Sequence, residues 1–259
     1  MEVVQSNLKE RIFDCIYVIN LDSRTDRMKL IDEQFKLIGL EYIRFSALKG
    51  TNGVNGCRLS HLAILKEAKE KGYKRILICE DDLVLRKKFI DDIREIVDKS
   101  LDCDMLYFHH PQPSDVNTDE IVFKHRAPWC THMYTVFNID NVLEWVSKND
   151  FENRGINGIY VNSGLNVYMT REEYAFQTPG NSDISNGFEH RFAHMFKFND
   201  LLSSQLKMKY LSKDKELKFQ MRAYANSLTE TCDTHLLEPS DSLYHFGKQL
   251  SNQPQDPRC

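Results

Sequence analysis

The sequence predicts an α/β fold built on a Rossmann-like sheet, and three observations carry that expectation. Strand-like and helix-like stretches alternate through the first half of the chain. The apolar run Ile76, Leu77, Ile78, Cys79 reads as a buried strand. Three acids, Glu80, Asp81 and Asp82, follow it with no turn residue between, at the strand's C-terminal edge, where open α/β sheets bind their ligands. Such acids repel one another unless a cation intervenes. A hard divalent ion shared with a diphosphate resolves the conflict, because Mg²⁺ and Mn²⁺ take carboxylate oxygens and keep positions open for phosphate.

The first strand is expected over Ile12 to Ile19, followed by the loop N-L-D-S-R-T-D-R at Asn20–Arg27. Ser23 with Asp26 three residues on resembles a capping box, and Met28, Ile31, Phe35 and Ile38 recur at helical spacing up to a C-capping Gly39. Tyr42–Phe45 reads as a short second strand and Gly50–Gly56 as a flexible loop. Arg58–Glu70 is a second helix with Leu59, Leu62, Leu65 and Ala68 facing inward, ending at Gly72 before the acidic strand. A third helix is expected over Phe89–Val97, strands over Met105–Phe108 and His132–Phe137, a hairpin or edge strand over Glu120–Phe123, and a short helix from Asp140 through Val146. Beyond that, Gly155, Gly158, Gly164, Pro179 and Gly180 suggest loops framing a site. The expected organisation is a tail at 1–11, a principal domain at 12–198 and a helical extension with a polar tail at 199–259.

Composition sets bounds. A chain of 259 residues, 41% hydrophobic, can bury one sizeable core. A net charge of -4 and a pI near 6.1 argue against a nucleic-acid surface. Seven cysteines without a repeated spacing indicate neither a zinc framework nor a disulfide lattice. No apolar run approaches the roughly 18 residues of a membrane span, and the N-terminus lacks a secretory pattern, so a soluble, cytoplasmic protein is expected. The loop after the first strand, with Arg24 and Arg27, offers guanidinium forks and backbone N–H groups to a phosphate or base. The sequence contains no G-x-G-x-x-G after that strand and no G-K-[ST], which disfavours dinucleotide oxidoreductases and P-loop enzymes.

Four segments, V-I-N-L-D-S-R-T-D-R (Val18–Arg27), R-F-S-A (Arg44–Ala47), G-C-R-L-S-H (Gly56–His61) and L-I-C-E-D-D (Leu77–Asp82), resemble in order and spacing the glycosyltransferase family 25 domain. That family includes bacterial lipooligosaccharide galactosyltransferases and collagen hydroxylysine galactosyltransferases. W-C-T-H-M-Y-T-V-F (Trp129–Phe137) and S-D-I (Ser182–Ile184) resemble its later motifs. The resemblance implies a GT-A type fold, a UDP-hexose donor, Mn²⁺ or Mg²⁺ bound by Glu80 and Asp82, and inverting transfer to a hydroxyl of a glycan or a hydroxylysine-bearing protein. It further implies that Asn20, Asp22, Arg24, Arg27, Ser60, His61, Glu80 and Asp81 lie near the donor. A homo-oligomer through the C-terminal extension is a further expectation.

The sequence departs from the pattern at Asn157 in I-N-G-I-Y, where an aspartate is expected and a carboxamide cannot act as a general base. Asp183 is the substitute candidate, with Glu172 and Glu173 behind it. Ser60 and His61 either face the donor or fix helix packing. Cys57 with His61, and His190 with His194, have i, i+4 spacing; two ligands alone make a weak metal site, though a late histidine can complete a cation's shell. Trp129, Tyr134 and Trp145 suit either sugar stacking or the core. An alternative to turnover is a nucleotide-sugar-binding module that has lost catalysis.

Overall fold

The structure is a computed structural model that describes residues 12–100, 102–108, 120–125, 130–149, 155–161 and 163–177. The chain divides into two units, Met1–Ser203 and Ser204–Cys259, and the described residues fall in the first. The expected tail at 1–11 and extension at 199–259 lie outside them.

Strand β1 (Cys15–Asn20) is buried along its whole length because both its faces are covered. Ile16 and Val18 join one hydrophobic cluster, Cys15, Tyr17 and Ile19 the other. Helix α1 (Thr25–Ile38) buries Ile31, Phe35 and Ile38 of the predicted stripe, leaves its Met28 half-buried, and stops at Gly39, whose φ of 67° suits a residue without a Cβ. The predicted capping box does not form. Arg24 is the N-cap residue, without a side-chain cap bond, and the Asp26 carboxylate accepts from Arg24 Nε at 3.1 Å. A guanidinium is the stronger partner for that carboxylate.

After β2 (Ile43–Ser46) the predicted loop at Gly50–Gly56 is largely helical: α2 runs over Gly53–Glu70. Its N-cap is Asn52, whose side chain accepts from the Asn55 N–H at 2.8 Å. Gly56 is there for close approach, since a Cβ would sit 2.6 Å from the Leu48 carbonyl oxygen. Strand β3 (Ile76–Glu80) follows, then β4 (Leu83–Leu85), α3 (Lys88–Asp98), β5 (Met105–Tyr107), β6 (Val122–Lys124), β7 (Met133–Val136) and α4 (Ile139–Lys148). Where a loop-rich region is expected, Gly155, Gly158 and Gly164 lie among regular elements: α5 (Ile156–Tyr160), β8 (Val167–Thr170) and β9 (Ala175–Gln177) complete the described elements, while Pro179 and Gly180 lie outside the described residues.

Among the described residues, seven strands form one mixed sheet in the order β2-β1-β3-β7-β5-β8-β6. β1 is parallel to both β2 and β3, β7 runs antiparallel to β3 and β5, β8 is parallel to β5, and β6 is the antiparallel edge. β4 and β9 make a separate antiparallel pair. Helices α1 and α3 cover one face through Phe35, Phe89 and Ile96; α2, α4 and α5 cover the other through Leu65, Val142 and Ile159. This is a GT-A-like Rossmann arrangement. The chain leaves β1 toward β2 on one side and returns to β3 on the other, so the crevice at the C-terminal ends of β1 and β3 is the topological switch point.

Candidate functional site at the β1 and β3 strand ends

Register brings the site together. Ile19 pairs with Glu80, so the next residues, Asn20 and Asp81, emerge side by side from adjacent strands. Asn20 Nδ2 donates to Asp81 Oδ2 at 2.7 Å, and Arg27 Nη1, from the first turn of α1, donates to Asp81 Oδ1 at 2.7 Å. Both side chains of that ion pair are largely buried. Burial still raises Asp81 above the usual carboxylate range, against the opposing pull of Arg27 and Asn20.

Asp82 is less well matched. Arg27 Nη1 lies 3.9 Å from its Oδ2, Gln177 Nε2 on β9 reaches the same oxygen at 3.5 Å, and Oδ1 is buried with no hydrogen-bond partner among the described residues. Burial first, and the Glu80 charge second, push Asp82 up to about 8. Glu80 turns the other way: Thr131 Oγ1 donates to its Oε1 at 2.6 Å, and His61 Nε2 lies 3.5 Å from the same oxygen.

A cavity of about 500 Å³ opens beside Asn20, lined by Asp22, Thr25, Met28, Asp32, Tyr42 and Arg44. Arg44 ties its polar wall: Nε donates to Asn20 Oδ1 at 2.9 Å and Nη2 pairs with Asp22. That pairing, with Ser46 Oγ donating at 2.9 Å, holds Asp22 below the usual carboxylate range. Asn20 therefore belongs to both the cavity and the acidic turn.

Of the predicted site residues, the structure brings Asn20, Arg27, Glu80, Asp81, Asp82 and His61 into one region and places Asp22 on the cavity wall. Arg24 pairs with Asp26. Ser60 is fully buried: its Oγ donates to Gly56 O and accepts from Leu48 N, each at 2.8 Å, which is the helix-packing role. Tyr134 is also in the core, stacked on Tyr107 and His61, while Trp145 Nε1 donates to Ile159 O. Glu172 lies 3.7 Å from the buried Arg86, whose Nη1 donates to the Glu173 carbonyl oxygen. Asn157 sits in α5 with Oδ1 buried and without a partner. Asp183, His190, His194 and Trp129 lie outside the described residues.

Sequence reasoning missed Arg44, Thr131 and Gln177. Arg44 was readable in part, because a charge in a short strand that alternates with Ser46 signals a polar edge. Thr131 and Gln177 reach the acids only through strand pairing distant in sequence. Cys57, His61 and Glu80 place three potential ligand atoms within 4.8 Å of one another, a cluster able to coordinate a metal ion. Glu80 is the third partner that the helical pair lacked in sequence.

Among family models, glycosyltransferase family 25 (LPS biosynthesis protein) matches residues 51–138, the segment from the start of α2 to the end of β7. No curated protein matches. Solved structures with similarity include A197 from STIV, at 13% identity and a TM-score of 0.40, covering 70% of this chain and 98% of that one. A glycosyltransferase involved in glycosylation of the major capsid of PBCV-1 aligns at 17% identity and a TM-score of 0.32, over 50% of this chain and 62% of that one. S. aureus TarS 1-349 aligns at 13% identity and a TM-score of 0.32, over 63% and 60%. The chain thus spans about three fifths of the latter two. The matched residues 51–138 include the acidic turn and lie on the GT-A-like sheet.

Proposed function

We propose that the chain is a metal-dependent, inverting glycosyltransferase that moves a hexose, galactose in the first instance, from a UDP-sugar to a hydroxyl of a glycan or a hydroxylysine-bearing protein. The observation that carries this reading is Asp82 Oδ1, buried at the switch point beside Glu80 without a hydrogen-bond partner. Two carboxylates with one oxygen left over fit a hard divalent cation, Mn²⁺ or Mg²⁺, better than any donor set without one. Glu80 and Asp82 would hold such an ion, which would supply positive charge to the departing diphosphate.

The chain's own residues do the rest. Asn20 and Arg44 hold the polar wall of the cavity, which has room for a nucleoside, and Asp22 is kept ionised there by Arg44 for a ribose or base contact. Arg27 and Asn20 fix Asp81 at the junction between cavity and turn. Asp183 is the proposed base for the acceptor hydroxyl, with inversion following from direct displacement.

The experiment is UDP binding by calorimetry with and without Mn²⁺, on the wild-type chain and Asp82→Asn, followed by transfer from several labelled UDP-hexoses to an acceptor array. Metal-supported binding should be lost in Asp82→Asn; unchanged affinity would sink the site. A second reading, a nucleotide-sugar-binding module without turnover, is favoured by Asn157, which stands in the sequence where the family resemblance implies an aspartate. Tight UDP binding with neither transfer nor hydrolysis would select it.

A further inference from the structure

Cys57 and His61 stand one turn apart on α2, and β3 delivers Glu80 to the same spot. His61 is fully buried and held in one orientation, with Nδ1 2.8 Å from the Tyr134 hydroxyl. Its other nitrogen, Nε2, makes no hydrogen bond and lies 3.5 Å from Glu80 Oε1. A buried imidazole nitrogen aimed at a carboxylate without bonding to it is what a metal ligand looks like before the metal arrives. Cys57 is partly exposed as a residue.

We propose that Cys57 Sγ, His61 Nε2 and a Glu80 carboxylate oxygen form a Zn²⁺ site with an open fourth position, chemically distinct from the all-oxygen Glu80 and Asp82 pair. Sulfur, imidazole nitrogen and carboxylate oxygen together select zinc, whereas Mn²⁺ and Mg²⁺ prefer oxygen alone. Zinc bond lengths put tetrahedral sulfur and nitrogen ligands about 3.6 Å apart, so atoms now within 4.8 Å need close by only about 1 Å. Tyr134 behind His61, and Thr131 donating to Glu80 Oε1 at 2.6 Å, supply the outer hydrogen bonds that such sites use to orient their ligands. The site does not depend on the nucleotide-sugar reading, but it shares Glu80 with it.

The full chain, reduced and stripped of metal with a chelator, is titrated with Co²⁺ as a spectroscopic stand-in for zinc. One equivalent should produce a thiolate-to-cobalt charge-transfer band and the intense visible bands of a four-coordinate ion. Zn²⁺ should bleach both, and excess Mn²⁺ should leave them. Cys57→Ser, with Cys57→Ala as a second variant, should abolish the charge-transfer band while far-ultraviolet circular dichroism stays native. Tyr134→Phe should keep the band and weaken zinc roughly 10–100-fold in competition with a chromophoric chelator. Asp82→Asn should keep it too. No band in the wild-type chain, or a band that survives in a folded Cys57 variant, would overturn the zinc site. Intact Mn²⁺-supported UDP binding alongside that result would leave the proposed function standing.

Discussion

The two flanks of the β3 tip treat neighbouring carboxylates in opposite ways. On the β1 flank, Asp81 meets a guanidinium and a carboxamide, both at 2.7 Å. On the β7 flank, Glu80 meets a hydroxyl and an imidazole backed by the buried rings of Tyr134, Tyr107 and Tyr160. Asp82 lies between, too far from Arg27 for a short bond and with one oxygen unmatched. The difference teaches that each of the three acids meets a different environment: a guanidinium at Asp81, a hydroxyl and an imidazole at Glu80, and one unmatched oxygen at Asp82. Charge alone did not show this division, since the three acids look equivalent in sequence.

The largest expected effect comes from breaking the compensated side. Arg27→Ala leaves Asp81 buried with only Asn20 for company, and removing one partner of a buried ion pair costs about 3–5 kcal/mol. Urea unfolding at neutral pH measures it, and Arg27→Lys should recover part of the loss. A cost below about 1 kcal/mol, the range of surface pairs, would mean that solvent reaches Asp81 and that the two flanks do not differ as described.

The uncompensated side is exposed by pH. Asp82, pushed up to about 8 by burial, the Glu80 charge and Asp81 against the opposing effects of Arg27 and Gln177, holds its proton more tightly folded than unfolded, where a carboxyl titrates near 4. Its contribution to stability is therefore fully present below about pH 4 and is lost as pH rises through about 8. In metal-free protein the unfolding midpoint should carry a downward slope across that window, and Asp82→Asn should flatten it. Mn²⁺ should reverse the slope, because an ion at Asp82 displaces the proton and binds better as pH rises. A metal-free slope that is the same in Asp82→Asn would remove Asp82 as its source.

The contrast also explains how much was legible from sequence. β1, α1 and β3 were readable because their apolar spacing is local, and the switch point followed from strands and helices alternating. The helical start at Gly53 was not, because two glycines look like a loop when the Leu48 backbone that requires one of them lies on another segment. β8 is only V-Y-M-T and packs on both sides of the sheet, so it shows no alternation. At the site, the acids and Arg27 announced themselves by charge, whereas Thr131, Gln177 and the third ligand beside Cys57 and His61 depend on contacts 19 to 95 residues apart that no local pattern encodes. The Glu80 to Thr131 contact alone spans 51 residues.

Tyr134→Phe probes the aromatic flank without touching a carboxylate. It removes the hydroxyl that meets His61 Nδ1 at 2.8 Å and approaches Tyr160 at 3.5 Å, leaving a buried polar nitrogen unmatched. The expected loss is about 1–3 kcal/mol in denaturant unfolding, smaller than for Arg27→Ala because no net charge is stranded. A loss equal to that of Arg27→Ala would erase the energetic distinction between the guanidinium flank and the aromatic one.

The smallest effect belongs to the rim of the β1 flank. Asp22 pairs with Arg44 and accepts from Ser46, yet its side chain is 78% exposed, so water replaces what the substitution removes. Asp22→Ala should leave the unfolding midpoint unchanged within error, since exposed ion pairs contribute little. Its consequence should appear in nucleotide binding instead: Arg44 keeps its bond to Asn20 but loses the carboxylate that neutralises it, and the cavity wall becomes more positive. UDP affinity measured with Mn²⁺ should therefore shift while stability does not, the reverse of what Arg27→Ala does to stability. If stability moved and affinity did not, Asp22 would belong to the fold, and the cavity would lose its claim to the nucleotide.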